Sequence, residues 1–536
     1  MGYFLNNEEP YVIYQEAAAQ PYFIDKTGIL KEIFPLINST EKYICITRPR
    51  RFGKTIMANL IGSFFSKARN SRNIFDSLKI SKDTTYLKFI NQYNVIYIDF
   101  SDIDDECKSY SSYIKNIKFL LREDLHTAYP QIEFRDNGNI PEDLKRIYAV
   151  THEKFIFVLD EWDAIFHMHF IKEKDKKAYL LFLKGLLKGK AYVAFAYMTG
   201  ILPIAKYSSG SELNMFIEFT MASSPAFSNY FGFTEAETDE LYARYLKICS
   251  TPSITRNGLK IWYDGYQTAT GQKIYNPRSV VLALKFNNME SYWTSSGPFD
   301  EISYYINKNI ADVREDLVLM ASGEAVTANV QEYAAVSMDL NTRDEIFSAM
   351  VVYGFLSHYK GKVSIPNKEL MDKFRNMLEK EPSLGYVYKL AKKSEQMLRA
   401  TIAGDTKIMQ EILEYAHDTE IPLLSYNSEI ELTALVNLIY LSARDTYRIE
   451  REDKAGRGYV DFIFYPKTDK TADCIILELK INSTPAEAIR QIKERKYALR
   501  FKGRIGKESE YSGRILAVGI SYNKVSKKHK CMVEIL

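Results

Sequence analysis

At 536 residues the chain is too long for one ordinary core and predicts two to four domains. Hydrophobic residues make up 46%, which excludes wholesale disorder, and 71 basic against 68 acidic side chains leave a formal net charge of only +3, so global charge points to no polyanionic partner. The cysteines, Cys45, Cys107, Cys249, Cys474 and Cys531, never stand in C-x-x-C spacing, which excludes a zinc or redox site of that pattern and fits a reducing compartment. No basic stretch followed by an apolar one opens the chain, and no uninterrupted apolar run approaches about 18 residues, so the expectation is a soluble, cytoplasmic protein.

In chain order, residues 42–47 form a short apolar, β-rich run. A Gly-Lys-Thr follows, then Ile56, Met57 and Leu60 at helical spacing: strand, loop, helix. Further strands are predicted at 94–100, 155–159 and 191–198, with helices at 110–125 and 174–188 between them. Near-continuous apolar strands alternating with helices predict an α/β fold whose parallel sheet is covered on both faces. Past residue 233 the strand signal fades. A helix is predicted at 234–248, opened by Thr234 as N-cap with Glu237 three residues on. Residues 301–420 read as mostly helical, interrupted at Ile365-Pro366-Asn367. A helix at 429–444 then leads to strands at 459–465, 474–481 and 514–521.

Phosphate binding requires backbone N–H groups turned into a loop, a helix N-terminus behind them, and a Lys reaching the outer phosphates. Gly53-Lys54-Thr55 is placed to supply these. Lys54 is expected on the outer phosphates, with the Thr55 hydroxyl on Mg²⁺. Arg48 stands where the G-x-x-x-x-G-K-S/T pattern has its first Gly. Arg48, Arg50 and Arg51 either supply charge to phosphates or coat a solvated loop. The strand at 155–159 runs into Asp160-Glu161. Asp160 is expected to hold Mg²⁺ through its water shell, Glu161 to orient the attacking water, and Thr199 at the next strand end to sense the outer phosphate. All lie at C-terminal strand ends, where open α/β sheets bind ligands.

A second constellation lies near the C-terminus. Metal-dependent phosphodiester hydrolysis needs carboxylates for the cation and a Lys to position water or steady developing charge. Asp461 precedes Glu478-Leu479-Lys480 by seventeen residues. In a strand, Glu478 and Lys480 share one face while Leu477 and Leu479 point into the core. Gln491 follows on a helix, and Glu431, with Glu429 as its competitor, is a further metal-side carboxylate. Judged alone, E-x-K is more often a surface pair; Asp461 and Gln491 shift the balance toward function. From Lys480 onward 14 Lys and Arg face five Glu, a surplus that either follows a phosphate backbone or only solvates the surface. His167 and His169, without a partnering cluster, read as structural.

Together these residues resemble a bacterial family of AAA-ATPase-like proteins with a C-terminal PD-(D/E)XK nuclease-superfamily domain. The resemblance is carried by Tyr22 to Thr27, by Arg-Pro-Arg-Arg-Phe-Gly-Lys-Thr at 48–55, by Leu159 to Asp163 and by Thr199-Gly200. It continues through Tyr230 to Thr234, Tyr263 to Tyr266, Tyr275 to Pro277, Gly456 to Asp461, Glu478 to Lys480 and Gln491. It implies a P-loop NTPase core with a helical lid and middle region, then a restriction-endonuclease-like α/β domain. It also implies ATP and Mg²⁺ as cofactors, a Mg²⁺-dependent site at Asp461, Glu478 and Lys480, and nucleic acid, with DNA foremost, as partner. Defence or mobile-element biology is an association only. Trp162 and Arg278 depart from the family's pattern; Arg278 either contacts phosphate from the lid or, the favoured expectation, lies at the surface. The expected division is 1–230 for the P-loop domain, 231–400 for the lid and connecting region, and 401–536 for the nuclease-like domain. The function expected is an ATPase coupled to a nuclease; the alternative is a nucleotide-responsive sensor or interaction protein whose nuclease-like domain only binds. No membrane partner is expected; homo-oligomers or a protein partner fit.

Overall fold

The computed structural model describes residues 2–103, 107–204, 212–222, 224–293, 310–321, 323–330, 340, 342–380, 386–418, 429–450, 461–467, 469–495, 497–501 and 511–536. The chain divides into two compact units: residues 1–302 with 327–370, and residues 303–326 with 371–536.

The first unit is built on strands β1 (Tyr43–Thr47), β2 (Asn94–Asp99), β3 (Phe155–Asp160), β4 (Val193–Gly200) and β5 (Ile217–Phe219). They lie in the order β2-β3-β4-β1-β5, all parallel. Every residue of β1, β3 and β4 is buried, as expected of strands covered on both faces. The covering helices are α1 (Glu9–Ala18), α2 (Lys54–Phe65), α3 (Tyr110–Ala128), α4 (Ile140–Thr151) and α5 (Glu173–Leu187). Met57, Leu60, Ile61 and Phe64 of α2 pack with Ile44, Ile46, Ile156, Val158 and Tyr197 of the sheet. Because β1 lies beside β4, and β4 beside β3, the C-terminal ends of the three strands converge. The expected strands and helices thus all form. The sequence reading missed β5, whose three residues are too few to show a period.

After the sheet come α6 (Glu235–Ile248), α7 (Arg256–Tyr263) and α8 (Pro277–Phe286), packed through Leu241, Tyr245, Leu259, Tyr263, Val280 and Leu284. The capping box at Thr234 and Glu237 forms in both directions, as the sequence predicts. Asn276 caps α8 through the Ser279 N–H, with Pro277 in the first turn. Gly265 adopts φ 110°, and a Cβ there would stand 1.9 Å from the Pro366 carbonyl oxygen. Gly265→Ala is therefore expected to cost roughly 3 kcal/mol or more, since both backbone strain and a clash with rigid main chain oppose it. Urea denaturation of the variant checks this. The middle region is less uniformly helical than predicted. Residues Ser357–Tyr359 and Lys362–Ser364 pair as an antiparallel hairpin. Its two-residue turn places Lys360 and Gly361 at φ 48° and 72°, the positive angles such a turn needs. Helix α9 (Lys368–Lys380) follows.

The second unit contains α10 (Tyr386–Ala403), α11 (Thr406–Asp418) and α12 (Glu429–Ile439). Its sheet has strands β6 (Tyr447–Glu450), β7 (Phe462–Pro466), β8 (Cys474–Ile481), β9 (Ile515–Asn523) and β10 (Lys528–Ile535) in chain order. Only β8 and β9 pair in parallel, and helix α13 (Pro485–Glu494) connects toward that crossover. The predicted strand at 459–465 begins at Phe462; residues 459 and 460, and the motif residues from Gly456, lie outside the described residues. The predicted helix at 429–444 stops at Ile439. The sequence reading did not anticipate β6 and β10, which are the sheet's outer strands and mix charged with apolar residues.

Candidate nucleotide and nuclease sites

The loop between β1 and α2 carries the first site. Arg51 and Gly53 both take positive φ, 72° and 89°, so the chain alternates handedness as it approaches the helix. Such a turn directs successive N–H groups inward at a helix N-terminus, where the dipole favours an anion. The loop is braced from outside. The Trp293 indole donates to the Arg50 carbonyl at 3.0 Å, and the Gly232 N–H donates to that of Phe52 at 3.4 Å. The Phe52 ring meets Tyr266 edge-on, and Tyr266 in turn donates to the Gly354 carbonyl. A Cβ at Gly354 would come within 2.6 Å of the Pro49 side chain. Pre-positioning of this kind keeps a ligand from having to order the loop itself.

Lys54 opens α2 and is buried. Its Nζ lies 3.4 Å from the Pro49 carbonyl and 3.8 Å from Glu161 Oε1. Asp160, at the end of β3, is 0% exposed. Its Oδ1 accepts from the Glu161 N–H at 3.0 Å, while Oδ2 is buried without a hydrogen-bond partner among the described residues. Burial first, then the charges of Glu161 and Asp99, push its pKa up to about 8, against the pull of Lys54 and the Thr55 hydroxyl. Glu161 is also raised, chiefly by burial, and sits at φ 46°, a strained angle for a residue with a Cβ. An orphaned buried carboxylate oxygen crowded by like charge fits a divalent cation. Asp99, which the sequence reading did not single out, ends β2 in register with Asp160 and adds to this crowding. The signal was available: a buried strand ending in an acid, as at Asp160.

Two expectations meet a different geometry. Arg48 is buried and donates to the Thr47 and Phe219 carbonyls at 2.8 Å, with its guanidinium 5.0 Å from the Phe231 ring centre. It ties β5 to β1 and does not line the cavity formed by the loop. Thr199 is likewise buried; its hydroxyl donates to the Ile46 carbonyl at 2.9 Å, stitching β4 to β1 rather than facing that cavity. The residue that fastens this strand end is Asp163, whose Oδ2 accepts from the Ile201 and Leu202 N–H groups at 3.0 and 2.7 Å. His167 lines the cavity without a metal-type cluster around it among the described residues.

That cavity measures about 1100 Å³ and is lined by Arg50, Arg51, Gly53, Lys54, Thr55 and Glu161 at one end. Tyr22, Phe23, Phe233, Val281 and Leu282 give it an apolar side, ample for a nucleotide base. Arg278, exposed as expected, lines it too, from the first turn of α8. Burial, then the charges of Arg278 and Arg50, lower the Arg51 pKa, so three guanidiniums gather where an anion would relieve them. The N-terminal motif is pinned to the following helices, since Lys26 pairs with Glu237 at 2.7 Å.

The second site lies on β7 and β8. Asp461 Oδ2 accepts from the Leu479 N–H at 2.6 Å, and Lys480 Nζ pairs with Glu478 Oε1 at 2.7 Å. Both faces of β8 are covered. Cys474 and Ile476, on Glu478's face, pack with Ile489 and Ile492 of α13, so Glu478 is only 3% exposed and not on a solvated face. Its Oε2 is buried without a hydrogen-bond partner among the described residues. Gln491 rides on α13 above this face. Glu431 and Glu429 fall on α12, but their side chains lie outside the described residues. Among the described residues no three His, Cys, Asp or Glu side chains gather as a metal group; Asp461 lies near enough to Glu478 for its charge to raise the Glu478 pKa. Two adjacent carboxylates, one with an orphaned oxygen, still fit a divalent cation.

Burial, opposed by the Lys480 hydrogen bond and reinforced by Asp461, raises Glu478 to about 7. The folded state therefore holds a proton that the unfolded chain releases. The associated stability is complete below about pH 4.5 and is lost as pH rises to about 7. Without divalent metal, Glu478→Gln should be more stable than the parent at pH 8, by roughly 2–3 kcal/mol, and equal to it near pH 4. Chemical denaturation in EDTA at both pH values reads this out, and equal stability at pH 8 would refute it.

Sheet, loop and acidic strand end define a P-loop ATPase-like domain, followed by a nuclease-like domain on a mixed sheet. Residues 15–209 match the family described as predicted AAA-ATPase, and residues 432–529 match the PD-(D/E)XK nuclease superfamily. An "Uncharacterized protein in vnfD 5'region" of Azotobacter chroococcum mcd 1 is 24% identical over 281 residues, 52% of this chain and 51% of that protein. The match thus spans about half the length of that curated relative. A Walker-type ATPase of Pyrococcus abyssi aligns at TM-score 0.36 and 11% identity, over 65% of this chain and 94% of its own. The ORC2 protein of Aeropyrum pernix, in its ADPNP-ADP complexes, aligns at TM-score 0.32 and 12% identity, over 69% and 94%. Strand order and the two family matches, rather than these distant likenesses, carry the assignment. Among the described residues no helix is long and apolar enough to cross a membrane.

Proposed function

We propose that the chain is an ATP-binding and ATP-hydrolysing protein coupled to a Mg²⁺-dependent nuclease acting on nucleic acid, with DNA the expected polymer. One observation carries the reading. In each unit a buried carboxylate with an orphaned oxygen stands near a lysine: Asp160 with Lys54 across Glu161, and Glu478 with Lys480. The sites lie in separate units. Lys54, with Arg50, Arg51 and Arg278, would hold the phosphates of ATP. Glu161 would orient the attacking water. In the second unit Asp461 and Glu478 would hold the cation, while Lys480 and Gln491 would position the nucleophilic water and the scissile phosphate. Bound Mg²⁺, at Thr55 and Asp160 or at Asp461 and Glu478, supplies charge neutralisation and water activation. The functional division would follow 1–230, 231–400 and 401–536, in the cytoplasm.

The alternative reading is a nucleotide-responsive sensor or interaction protein whose nuclease-like domain binds without cutting. Linear and circular DNA incubated with Mg²⁺, with and without ATP, separates the two. Cleavage that depends on Asp461 supports the nuclease. ATP turnover with no cleavage of DNA or RNA supports the sensor.

A further inference from the structure

The hairpin that joins β9 to β10 stands at the same end of the sheet as the acid–lysine pair. Strand β9 runs parallel to β8, with Gly519 opposite Glu478 and Ser521 opposite Lys480. It continues to Asn523, then turns through residues 524–527 into β10, with Asn523 opposite Lys528. The tip is shaped by its own side chains: Asn523 Oδ1 accepts from the Val525 and Ser526 N–H groups at 3.0 and 2.8 Å, and Lys527 turns the chain at φ 53°. It is also tied to the site. Asn482, two residues past Lys480, accepts the Lys524 N–H at 2.9 Å, and its own N–H donates to the Tyr522 carbonyl. The hairpin base is stiffened by His529, buried against Tyr522.

The tip and the strand after it carry Lys524, Lys527, Lys528 and Lys530, all exposed. No acidic residue occurs from Ile515 to Val533. Val525, between the lysines, is 93% exposed. Four exposed cations thus stand at this end of the sheet, two on the turn and two on β10. Four residues of strand separate Gly519 from Asn523, about 13 Å.

We propose that this hairpin is the backbone clamp of the second unit, gripping nucleic-acid phosphates about 13 Å along the sheet from the bond set against Glu478 and Lys480. The proposal rests on the reading of this unit as acting on nucleic acid, and it names the element that holds the polymer. Because Asn482 couples the turn after β8 to the hairpin, the grip and the acid pair keep a fixed spacing. Phosphate contact carries no base information, so the hairpin confers affinity and register but no sequence preference.

The test uses the full chain with Asp461→Ala, so that cleavage does not consume the probe, and a labelled 30-base-pair DNA duplex titrated from 50 to 300 mM NaCl. Adding Lys524→Ala, Lys527→Ala and Lys528→Ala should weaken binding at least tenfold at 150 mM salt. It should also flatten the plot of log affinity against log salt by about 2–3, roughly one per lysine. Arginine at the same three positions should restore both. The charge-matched control Lys389→Ala, Lys392→Ala and Lys407→Ala, on α10 and α11, should change the slope by less than one. Binding by the hairpin variant that matches its parent overturns the clamp and leaves the nuclease reading standing. An equal loss in the control shows diffuse charge and also overturns it. A parent that binds neither DNA nor RNA overturns both.

Discussion

Lys54→Ala is expected to weaken ATP binding and turnover at least a hundredfold, roughly 3 kcal/mol of lost phosphate stabilisation. The effect is large because Lys54 is the buried cation of a pre-formed loop: it sits between the Pro49 carbonyl and Glu161, only 4% exposed. Charge inside such a site is worth more than at the surface. Glu161→Gln gives the complementary result. It removes one of the negative charges that crowd Asp160, so ATP should bind at least as tightly, while hydrolysis falls roughly a hundredfold or more. Calorimetric titration with ATP beside a phosphate-release assay distinguishes them. Loss of binding in Glu161→Gln, or unchanged binding in Lys54→Ala, would dissolve the assignment.

Asp461→Ala is expected to reduce nucleic-acid cleavage roughly a thousandfold or more while leaving ATP turnover in place, since Asp461 lies in the second unit and Lys54 and Asp160 in the first. The variant removes two things together: the acceptor for the Leu479 N–H and one of the two carboxylates proposed to hold the cation. Asp461→Asn separates them. It keeps an acceptor for the N–H but not the full charge, so a stable Asn variant that still fails to cut locates the loss in metal binding. Equal cutting by parent and Asp461→Ala, with EDTA abolishing neither, would remove Asp461 from the site.

The nucleotide site was legible because its parts are local. Gly53, Lys54 and Thr55 are consecutive, and an acidic pair after five apolar residues marks a strand end without reference to the rest of the chain. The capping box at Thr234 and Glu237 was legible for the same reason. Arg48 and Thr199 were misplaced because their type and position suit a phosphate, but direction does not follow from position. Each turned instead to a carbonyl on a neighbouring strand, where a buried donor must find an acceptor. Trp293 and Gly354 could not be read as loop braces at all, since they lie some 240 and 300 residues from Arg50 and Pro49 along the chain.

What this sequence determined by itself was local pattern: strand and helix periods, a Gly-Lys-Thr loop, an acidic strand end, and an Asp, Glu and Lys on two β-rich runs. The tertiary structure decided which charges are costly. Strand order brought Asp99 beside Asp160, and α13 covered the face of β8 that carries Glu478. Burial is a property of what packs over a residue, not of the residue's neighbours in sequence. Only the fold therefore turned two ordinary carboxylates into acids with pKa values near neutrality, each with an oxygen left to bind something else.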